Sequence, residues 1–377
     1  MGKKLSIFIL RNLISFFLNI FFSYLRSLGS YKTCMYKHNG KILVSLLLTF
    51  ILLQLNAVKL WGNKLDETYI FNIESAVEMS IIADISHLIN NREIQRLPAK
   101  VTLNFHNTKL ELNATVEVRG NFRRDANNCD FPPLRLRFKD SEIKGTVLDG
   151  NHNLKIVSHC KNKSSQFLQY MAKELTTYKI YNLISPYSLK VKMVSITYID
   201  EQNDIKPIQN QAFIIEDIDK LAGNHNMKEF DGELSEEDVD QDILLQVSVF
   251  QFMIGNTDWI IPLAKNLKFI TDGETYIMIP YDFDYTAFVG TNYNIGGGHS
   301  ILVPPVRKFK GPCYDMSDLE SEFEEFRDKR ESIMNLISIS PSLKSSSRKN
   351  MKNYIDEFYN IISSEEEIGE YFQINCK

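Results

Sequence analysis

Residues 279–286 read Ile-Pro-Tyr-Asp-Phe-Asp-Tyr-Thr, so two acids, Asp282 and Asp284, directly follow an apolar, strand-like run. Carboxylates in an apolar region are costly unless paired, and a divalent cation carrying phosphate is the usual partner for clustered oxygen ligands. Residues two apart in an extended segment share a face, which places both carboxylates together. Upstream, Asp258 and Asn266 add an acid and an amide. The pattern predicts metal ligands at Asn266, Asp282 and Asp284; the alternative is a loop whose Asp residues cap turns.

The charge distribution is strongly asymmetric along the 377 residues. The formal net charge is only -4, and the 44% hydrophobic and 24% charged content is that of an ordinary globular protein. No acid occurs before Asp66, however, which leaves 34 basic against 47 acidic residues in the remainder. A nucleic-acid binder needs a basic face, so the balance argues against that class. It leaves room for a local basic pocket that binds phosphate.

The N-terminal segment has the features of a targeting signal. Ile42 to Leu55 is almost continuously apolar, follows basic residues and precedes small ones. This order is typical of a secretory signal, and the core is shorter than the roughly 20 apolar residues of a spanning helix. Met35 stands where such a signal would start, so residues 1–34 are interpreted as an over-extended start, with a two-helix membrane anchor as the alternative. We expect a periplasmic, cell-envelope or secreted protein that contacts the membrane only through an uncleaved leader.

The five cysteines fit an exported chain. Cys34 lies in the leader, and the other four could form two disulfides in three connectivities. Cys129 and Cys160 each adjoin a strand-like run, so we predict that they pair with each other. None of the four has a neighbour at the spacing of a zinc site.

The order of elements predicts an α+β protein. Residues 1–65 form the leader, 66–223 a strand-rich N-lobe, 224–242 an exposed acidic insertion and 243–377 a helical C-lobe that carries the acidic cluster. This is the bilobal order of protein kinases.

Three local patterns are clearest within these segments. Residues 166–184 have apolar side chains at helical spacing, with Ser164 as the N-cap and Pro186 after the end. Residues 243–254 read as a buried helix. Asp272-Gly273 predicts a hairpin between two flanking apolar runs.

A phosphoryl-transfer site demands positioning and charge neutralisation, and its parts occur here in order. Lys155 would contact nucleotide phosphates and Glu174 would hold that lysine. Asp258 would orient the acceptor hydroxyl, while Asn266 and Asp282 would hold magnesium. The spacing from Asp258 to Asn266 is eight residues rather than the five of ordinary protein kinases, and no His-Arg precedes Asp258. The chain is therefore not a conventional kinase.

Six segments in this order resemble the spore-coat CotH kinase family, in particular its exported bacterial branch. They are residues 119–123 (RGNFR), 129–134 (CDFPPL), 154–160 (LKIVSHC), 213–217 (FIIED), 254–259 (IGNTDW) and 280–285 (PYDFDY). The resemblance spans roughly residues 70–315. It implies a bilobal, atypical protein-kinase-like fold and ATP-dependent phosphorylation of protein Ser/Thr hydroxyls, with ATP and Mg²⁺ as cofactors.

Several nucleotide contacts have alternatives. No G-x-G-x-x-G loop is present, so the basic turn, residues 119–124, is predicted to cover the phosphates through Arg119 and Arg123; the alternative is a surface turn. Arg135 or Arg137 could replace Lys155, and Glu174 could be an ordinary solvated helix residue. Glu216 stands where a kinase hinge would meet adenine, or simply starts a loop.

Two other functional classes compete with an exported kinase. One is a catalytically inactive CotH-like envelope or surface binding protein. The other is a metal-dependent phosphate hydrolase that uses Asp258, Asp282 and Asp284, although none of the seven His lies in this cluster. The expected partner of a kinase is a protein substrate with a Ser/Thr acceptor, not a nucleic acid.

Overall fold

The computed structural model describes residues 68–291 and 307–374. The chain divides into two units after Leu65, and all described residues lie in the second unit, Asp66–Lys377. Its mixture of helices and sheets is α+β. The predictions for the leader and for Met35 lie outside the described residues. Within the described part, no helix is long and apolar enough to cross a membrane.

Seven strands close into a barrel in the order β1-β2-β3-β4-β5-β7-β6. They are β1 (Glu78–Ala83), β2 (Leu97–Phe105), β3 (Thr108–Val118), β4 (Leu134–Arg137), β5 (Asn153–Val157), β6 (Val191–Asp200) and β7 (Ile208–Ile215). Neighbours are antiparallel except β1 and β6, which are parallel. Alternate side chains fill the interior, as in β2, where Ala99, Val101, Leu103 and Phe105 are buried. The sequence predicted that the strands of the first half of the protein are antiparallel. The structure differs in that the barrel is closed by the parallel pair β1 and β6.

Helices of the first half are α1 (Ile85–Asn90), α2 (Asp140–Ile143), α3 (Ser165–Ile184) and α4 (Ile218–Asn224), with a 3-10 turn at Ile70–Asn72. The prediction for α3 is confirmed: the Ser164 hydroxyl accepts from the Phe167 N–H, and the helix ends at Ser185, just before Pro186. Ile82 still belongs to β1, and α1 begins after Asp84, whose carboxylate accepts from the His87 N–H.

The second half consists of α5 (Gln241–Met253), a sheet in the order β10-β9-β8, and the C-terminal helices. The strands are β8 (Lys228–Phe230), β9 (Leu267–Thr271) and β10 (Tyr276–Pro280); the helices are α6 (Met316–Ile339), α7 (Ser345–Ile361) and α8 (Glu365–Ile368), followed by a π-helix at Gly369–Ile374. The predicted hairpin is present: the Asp272 carboxylate accepts from the N–H groups of Glu274 and Thr275, and Gly273 has φ +106°.

The segment 224–242 is mostly exposed, as the sequence predicted, but it also contributes a strand to the second sheet. It supplies β8, which pairs with β9, and its Leu234 and Val239 are buried. Phe230 packs against Tyr276 with ring centroids 4.8 Å apart. Few apolar residues suffice here because β8 is an edge strand, which pairs only with β9 within this sheet.

Two hydrophobic cores organise the described part. One fills the barrel. The other joins α3 and the outer side of β5 and β7 to α5, the three-stranded sheet and the C-terminal helices. Helix α3 therefore packs between the barrel and the helical half, where it can position residues from both.

The predicted Cys129–Cys160 disulfide is confirmed in the structure, with Cα atoms 4.6 Å apart. Cys313 is disulfide-bonded as well. Disulfides persist in oxidising compartments, so the bridge fits an environment outside the cytosol.

Removing this bridge should cost substantial stability. It closes a loop across 31 positions of the sequence, and a loop of that size contributes about 3 to 4 kcal/mol by restricting the unfolded chain. We expect Cys129→Ser/Cys160→Ser to lower the free energy of unfolding by that amount in urea titrations. Non-reducing peptide mapping of the unmutated protein is the companion measurement, and recovery of both residues as free thiols would contradict the pairing.

Candidate active site

The hairpin of β9 and β10 brings Asn266 beside the acidic turn. Leu267, the first residue of β9, pairs with Pro280, the last residue of β10. One position further out, the Tyr281 N–H donates to the Asn266 carbonyl at 3.1 Å. Asn266 immediately precedes one strand and Asp282 follows the other by two residues. Pairing of the strands therefore places both predicted metal ligands at the same end of the sheet.

Asp258 is fixed on the loop that follows α5. The buried Asn256 side chain donates to the Gln251 side chain at 2.9 Å and accepts from the Asp258 N–H at 2.9 Å. The Asp258 carboxylate accepts from the Lys265 ammonium on one oxygen. Its second oxygen accepts from the Asn266 amide at 3.1 Å. Asp258 and Asn266 are thus in direct contact.

The eight-residue spacing between these two residues has a structural cause. Ile260 and Lys265 exchange two backbone hydrogen bonds, of 3.2 and 3.0 Å, and close a small loop. Asn266 then takes a left-handed backbone with φ 54° and donates to the Asp258 carbonyl at 2.6 Å. The additional residues bulge outward and leave the contact between Asp258 and Asn266 intact.

Helix α3 holds the acidic turn through two residues one helical turn apart, Glu174 and Tyr178. The Asp282 N–H donates to the Tyr178 hydroxyl at 2.8 Å, and Phe283 packs on the Tyr178 ring at 4.6 Å. Phe283 also contacts Phe250 of α5, with ring centroids 5.6 Å apart. The turn is consequently anchored in the core between two helices.

Asp282 and Asp284 do not share an extended face as predicted. Asp282 has φ 63°, and Phe283–Tyr285 forms a 3-10 turn, so the two carboxylates have different surroundings. Asp284 is buried and forms an ion pair with Arg123 at 3.0 Å, whereas Asp282 is half-buried. The same Arg123 nitrogen lies 3.1 Å from the Glu174 carboxylate. Burial, followed by the negative charges of Asp284 and Asp282, raises the pKa of Glu174, and Arg123 opposes that rise.

Lys155 lies on the outer face of the barrel, towards the acidic turn. Register pairing puts Glu117, Arg135 and Lys155 in one row across β3, β4 and β5. The Lys155 ammonium lies 4.8 Å from the centre of the Tyr281 ring. Among the described residues it forms no ion pair with Glu174 or another carboxylate. The structure therefore brings Lys155 to Tyr281 and Asp282, and gives Glu174 a different cation.

The surroundings of Lys155 are rich in positive charge. Burial lowers the pKa of Lys155 to about 7, and the charges of Arg119, Lys268 and Arg135 add to that effect, with Asp282 opposing it. Arg135 and Arg137 share Glu117, at 3.4 and 2.9 Å, and Lys268 has Glu229 at 2.7 Å. No carboxylate is paired with Arg119 in the described part of the chain. Within the described residues, therefore, no ion pair neutralises Arg119 or Lys155, and both can interact with an anion.

Glu216 belongs to the wall of the barrel. It is buried, and its carboxylate accepts from the Lys190 N–H at 2.9 Å and from the Tyr69 hydroxyl. Burial raises the pKa of this carboxyl. No contact of the described residues joins Glu216 to Asp258, Asn266 or Asp282, so its predicted contact with adenine stays a prediction.

The donors at the end of the sheet fit magnesium chemically. No group of three or more His, Cys, Asp or Glu in residues 68–291 and 307–374 could by itself hold a metal. Magnesium, however, is usually bound by one or two carboxylates together with substrate phosphates and water. Asp282 has no ion-pair partner within the described ranges, and Asn266 uses its amide N–H groups on Asp258, which leaves its amide oxygen available.

Four contributors were missed by the sequence reasoning: Tyr178, Lys265, Lys268 and Tyr281. Tyr178 could have been found, because it lies four residues after Glu174 on a predicted helix. Lys265 contacts Asp258 only because the loop folds back, and Lys268 lies near Lys155 only because of the hairpin. No sequence pattern indicates either position.

Comparison with known proteins adds little. No protein-family model and no curated protein matches the chain. Among solved structures it is similar to the crystal structure of a Helicobacter pylori proinflammatory kinase, CtkA, with 11% identity and a TM-score of 0.35, over 69% of this chain and 87% of that chain. A similarity of this size carries no argument about fold or function. The functional interpretation therefore depends on the residues described above.

Proposed function

We propose that the protein is an exported atypical kinase that transfers phosphate from Mg-ATP to Ser/Thr hydroxyls of protein substrates. The observation that carries this proposal is the β9–β10 hairpin, which places Asn266 and Asp282 at one end of the sheet, with Asp258 bonded to Asn266 and Lys155 over the adjoining Tyr281. Phosphoryl transfer depends on such positioning of opposite charges. The resemblance to the CotH family and the confirmed disulfide support the same assignment.

The nucleotide phosphates are bound by cations of the barrel. Lys155 and Arg119 contact the phosphates, with Arg135 supporting them from the neighbouring strand. Asp282 and Asn266 would hold Mg²⁺, which would supply positive charge against the nucleotide phosphates. Arg119 reaches the site from the basic turn, which serves in place of a Gly-rich loop.

Asp258 orients the acceptor hydroxyl and takes its proton as the new oxygen–phosphorus bond forms, while the bond from the γ-phosphorus to the β–γ bridging oxygen breaks and ADP leaves. Lys265 and Asn266 hold both oxygens of this carboxylate, which limits its rotation. A hydrolase would use the same acids to activate water. Among the described residues, however, no His joins these acids as a further metal ligand. The kinase assignment accounts for more of the constellation.

The test is a calorimetric titration of the full chain, folded under oxidising conditions, with ATP in the presence and absence of Mg²⁺. It is paired with transfer of labelled γ-phosphate to casein as a generic protein acceptor. We expect magnesium-dependent binding and labelled phosphoserine or phosphothreonine. Binding without transfer would favour the inactive alternative, and release of inorganic phosphate without labelling would favour the hydrolase.

Export makes a separate prediction about the N-terminus. If the apolar core from Ile42 to Leu55 is a cleaved signal, the mature chain begins between Asn56 and Leu65, and residues 1–34 are dispensable. N-terminal sequencing of material recovered outside the cytoplasm measures this, with a variant that starts at Met35 as the control for dispensability. A mature start upstream of Met35 would contradict it.

A further inference from the structure

We infer that Arg123 of the basic turn is a positioning residue: it is the cation that holds Glu174 of α3, and through Asp284 it fixes the turn that presents Asp282. Lys155 is thereby left to the phosphates. This inference rests on the proposed function, because it concerns the same site, but its structural part can be tested without nucleotide.

The ion pairs of Arg123 are well shielded from water. The exposed fractions of the three side chains are 13% for Arg123, 1% for Glu174 and 7% for Asp284. One guanidinium nitrogen lies 3.1 Å from Glu174 and 3.0 Å from Asp284. A buried charge that loses its partner is strongly destabilised, so neither carboxylate tolerates the loss of this arginine well. Arg123 is therefore committed to two protein carboxylates and does not serve as a phosphate ligand.

The loop that carries Arg123 is firmly held. The Asn128 side chain donates to the Phe122 carbonyl at 2.9 Å, and the Cys129 N–H donates to the Asp125 carbonyl at 3.1 Å. Arg92 donates to the carbonyls of Arg124 and Cys129, at 3.1 and 2.7 Å. The disulfide of Cys129 then ties the end of this loop to Cys160, three residues after β5. The guanidinium is thus presented from a braced backbone.

The consequence for the site follows from the connection between Asp284 and Asp282. Asp284 lies within the 3-10 turn that Asp282 opens. Glu174 and Tyr178 of α3 hold that turn at two points, Tyr178 directly and Glu174 through Arg123. Removing Arg123 leaves the Tyr178 contact but takes away the cation between Glu174 and Asp284, whose like charges then repel each other. The turn should then move away from α3, and Asp282 should lose its fixed position towards magnesium.

The experiment compares Arg123→Met with its matched control Arg124→Met, an arginine of the same turn that forms no described ion pair. We expect Arg123→Met to raise the Mg²⁺ concentration for half-maximal ATP binding at least tenfold, while the affinity for magnesium-free ATP changes less than twofold. In the nucleotide-free protein, amide hydrogen exchange across residues 282–286 should accelerate at least tenfold. Arg124→Met should change neither quantity, and Arg123→Lys should restore part of both.

A second variant keeps the inference testable if Arg123→Met unfolds. Arg123→Met/Glu174→Gln removes one of the two like charges that Arg123 separates, so it should recover part of the exchange protection and of the response to Mg²⁺. An equal loss of affinity with and without magnesium would overturn the inference, because Arg123 would then contact phosphate directly. Unchanged exchange in Arg123→Met would also overturn it. If the unmutated protein binds no ATP, the proposed function fails, whereas the exchange measurements still decide the role of Arg123.

Discussion

Asp282→Ala should abolish magnesium-dependent ATP binding, whereas Asp258→Asn should leave binding close to normal and greatly slow phosphate transfer. Asp282 has no ion-pair partner within the described part of the protein and stands beside Lys155, so its carboxylate is available to a cation that bridges the phosphates. Asp258 acts only as the hydroxyl attacks, so its loss should lower the rate of transfer by about 10² to 10⁴-fold, the usual contribution of a general base.

The measurement is calorimetric titration of both variants with ATP and Mg²⁺, alongside transfer to casein. Asn has nearly the shape of Asp, so Asp258→Asn removes the negative charge while largely keeping the contacts with Lys265 and Asn266. Asp356→Asn is a suitable control, because Asp356 of α7 pairs with Arg330 of α6 and takes no part in the proposed metal site. If Asp258→Asn loses binding as severely as Asp282→Ala, the proposed division of roles is wrong.

Asp284 should behave differently from either residue. The sequence suggested a third metal ligand that shares a strand face with Asp282. In the structure its carboxylate forms the ion pair with Arg123. We therefore expect Asp284→Asn to weaken magnesium-dependent binding indirectly, by loosening the turn.

The parts of the fold that the sequence predicted have local signals. Helix α3 carries its own N-cap in Ser164, and the hairpin carries its turn at Asp272-Gly273. The placement of Asn266 and Asp282 at the same end of the sheet follows from that hairpin, because paired strands align their ends. Of the predicted site residues, Asn266 and Asp282 were therefore the easiest to place from the sequence, because they flank two strands that are neighbours along the chain.

The parts that escaped prediction depend on long-range packing. Arg123 and Glu174 are 51 residues apart, and only the path of an irregular loop decides that this arginine, and not Lys155, reaches the helix glutamate. Closure of the barrel through parallel pairing of β1 with β6 likewise leaves no mark on either strand alone. Strand β8 was missed because its residues are mostly polar, and its place at the sheet edge requires only Phe230 to pack.

Lys155→Met should weaken ATP binding strongly and at the same time stabilise the protein. The ammonium of Lys155 contacts a tyrosine ring, and burial, followed by the charges of neighbouring cations, lowers its pKa to about 7. A charged contact to phosphate contributes about 1.5 to 3 kcal/mol, so we expect its loss to reduce affinity by about 10 to 150-fold. Replacing a poorly compensated charge with an apolar side chain should raise the Tm by about 2–4 °C, equivalent to about 1 kcal/mol.

The pH dependence of stability gives this prediction a definite sign. The unfolded chain keeps the ordinary pKa of lysine, near 10.5, whereas the folded chain has about 7. Between these values the unfolded state binds more protons, so the cost of burying Lys155 is fully present below about pH 7 and fades as the pH rises towards 10.5. The Tm advantage of Lys155→Met should therefore be greatest at or below neutral pH and shrink in alkaline buffer. Thermal unfolding scans at several pH values measure it.

Binding should show the complementary pH dependence. Phosphate selects the protonated form of Lys155, so the affinity for ATP should fall by up to tenfold for each pH unit above about 7. Titrations from pH 7.5 upwards avoid the last ionisation of the phosphate itself, near pH 6. Lys155→Arg keeps its charge throughout this range, and its affinity should be nearly constant. If the unmutated protein and Lys155→Arg share one pH profile, the phosphates do not meet Lys155, and Arg119 with Arg135 must supply the positive charge of the nucleotide site.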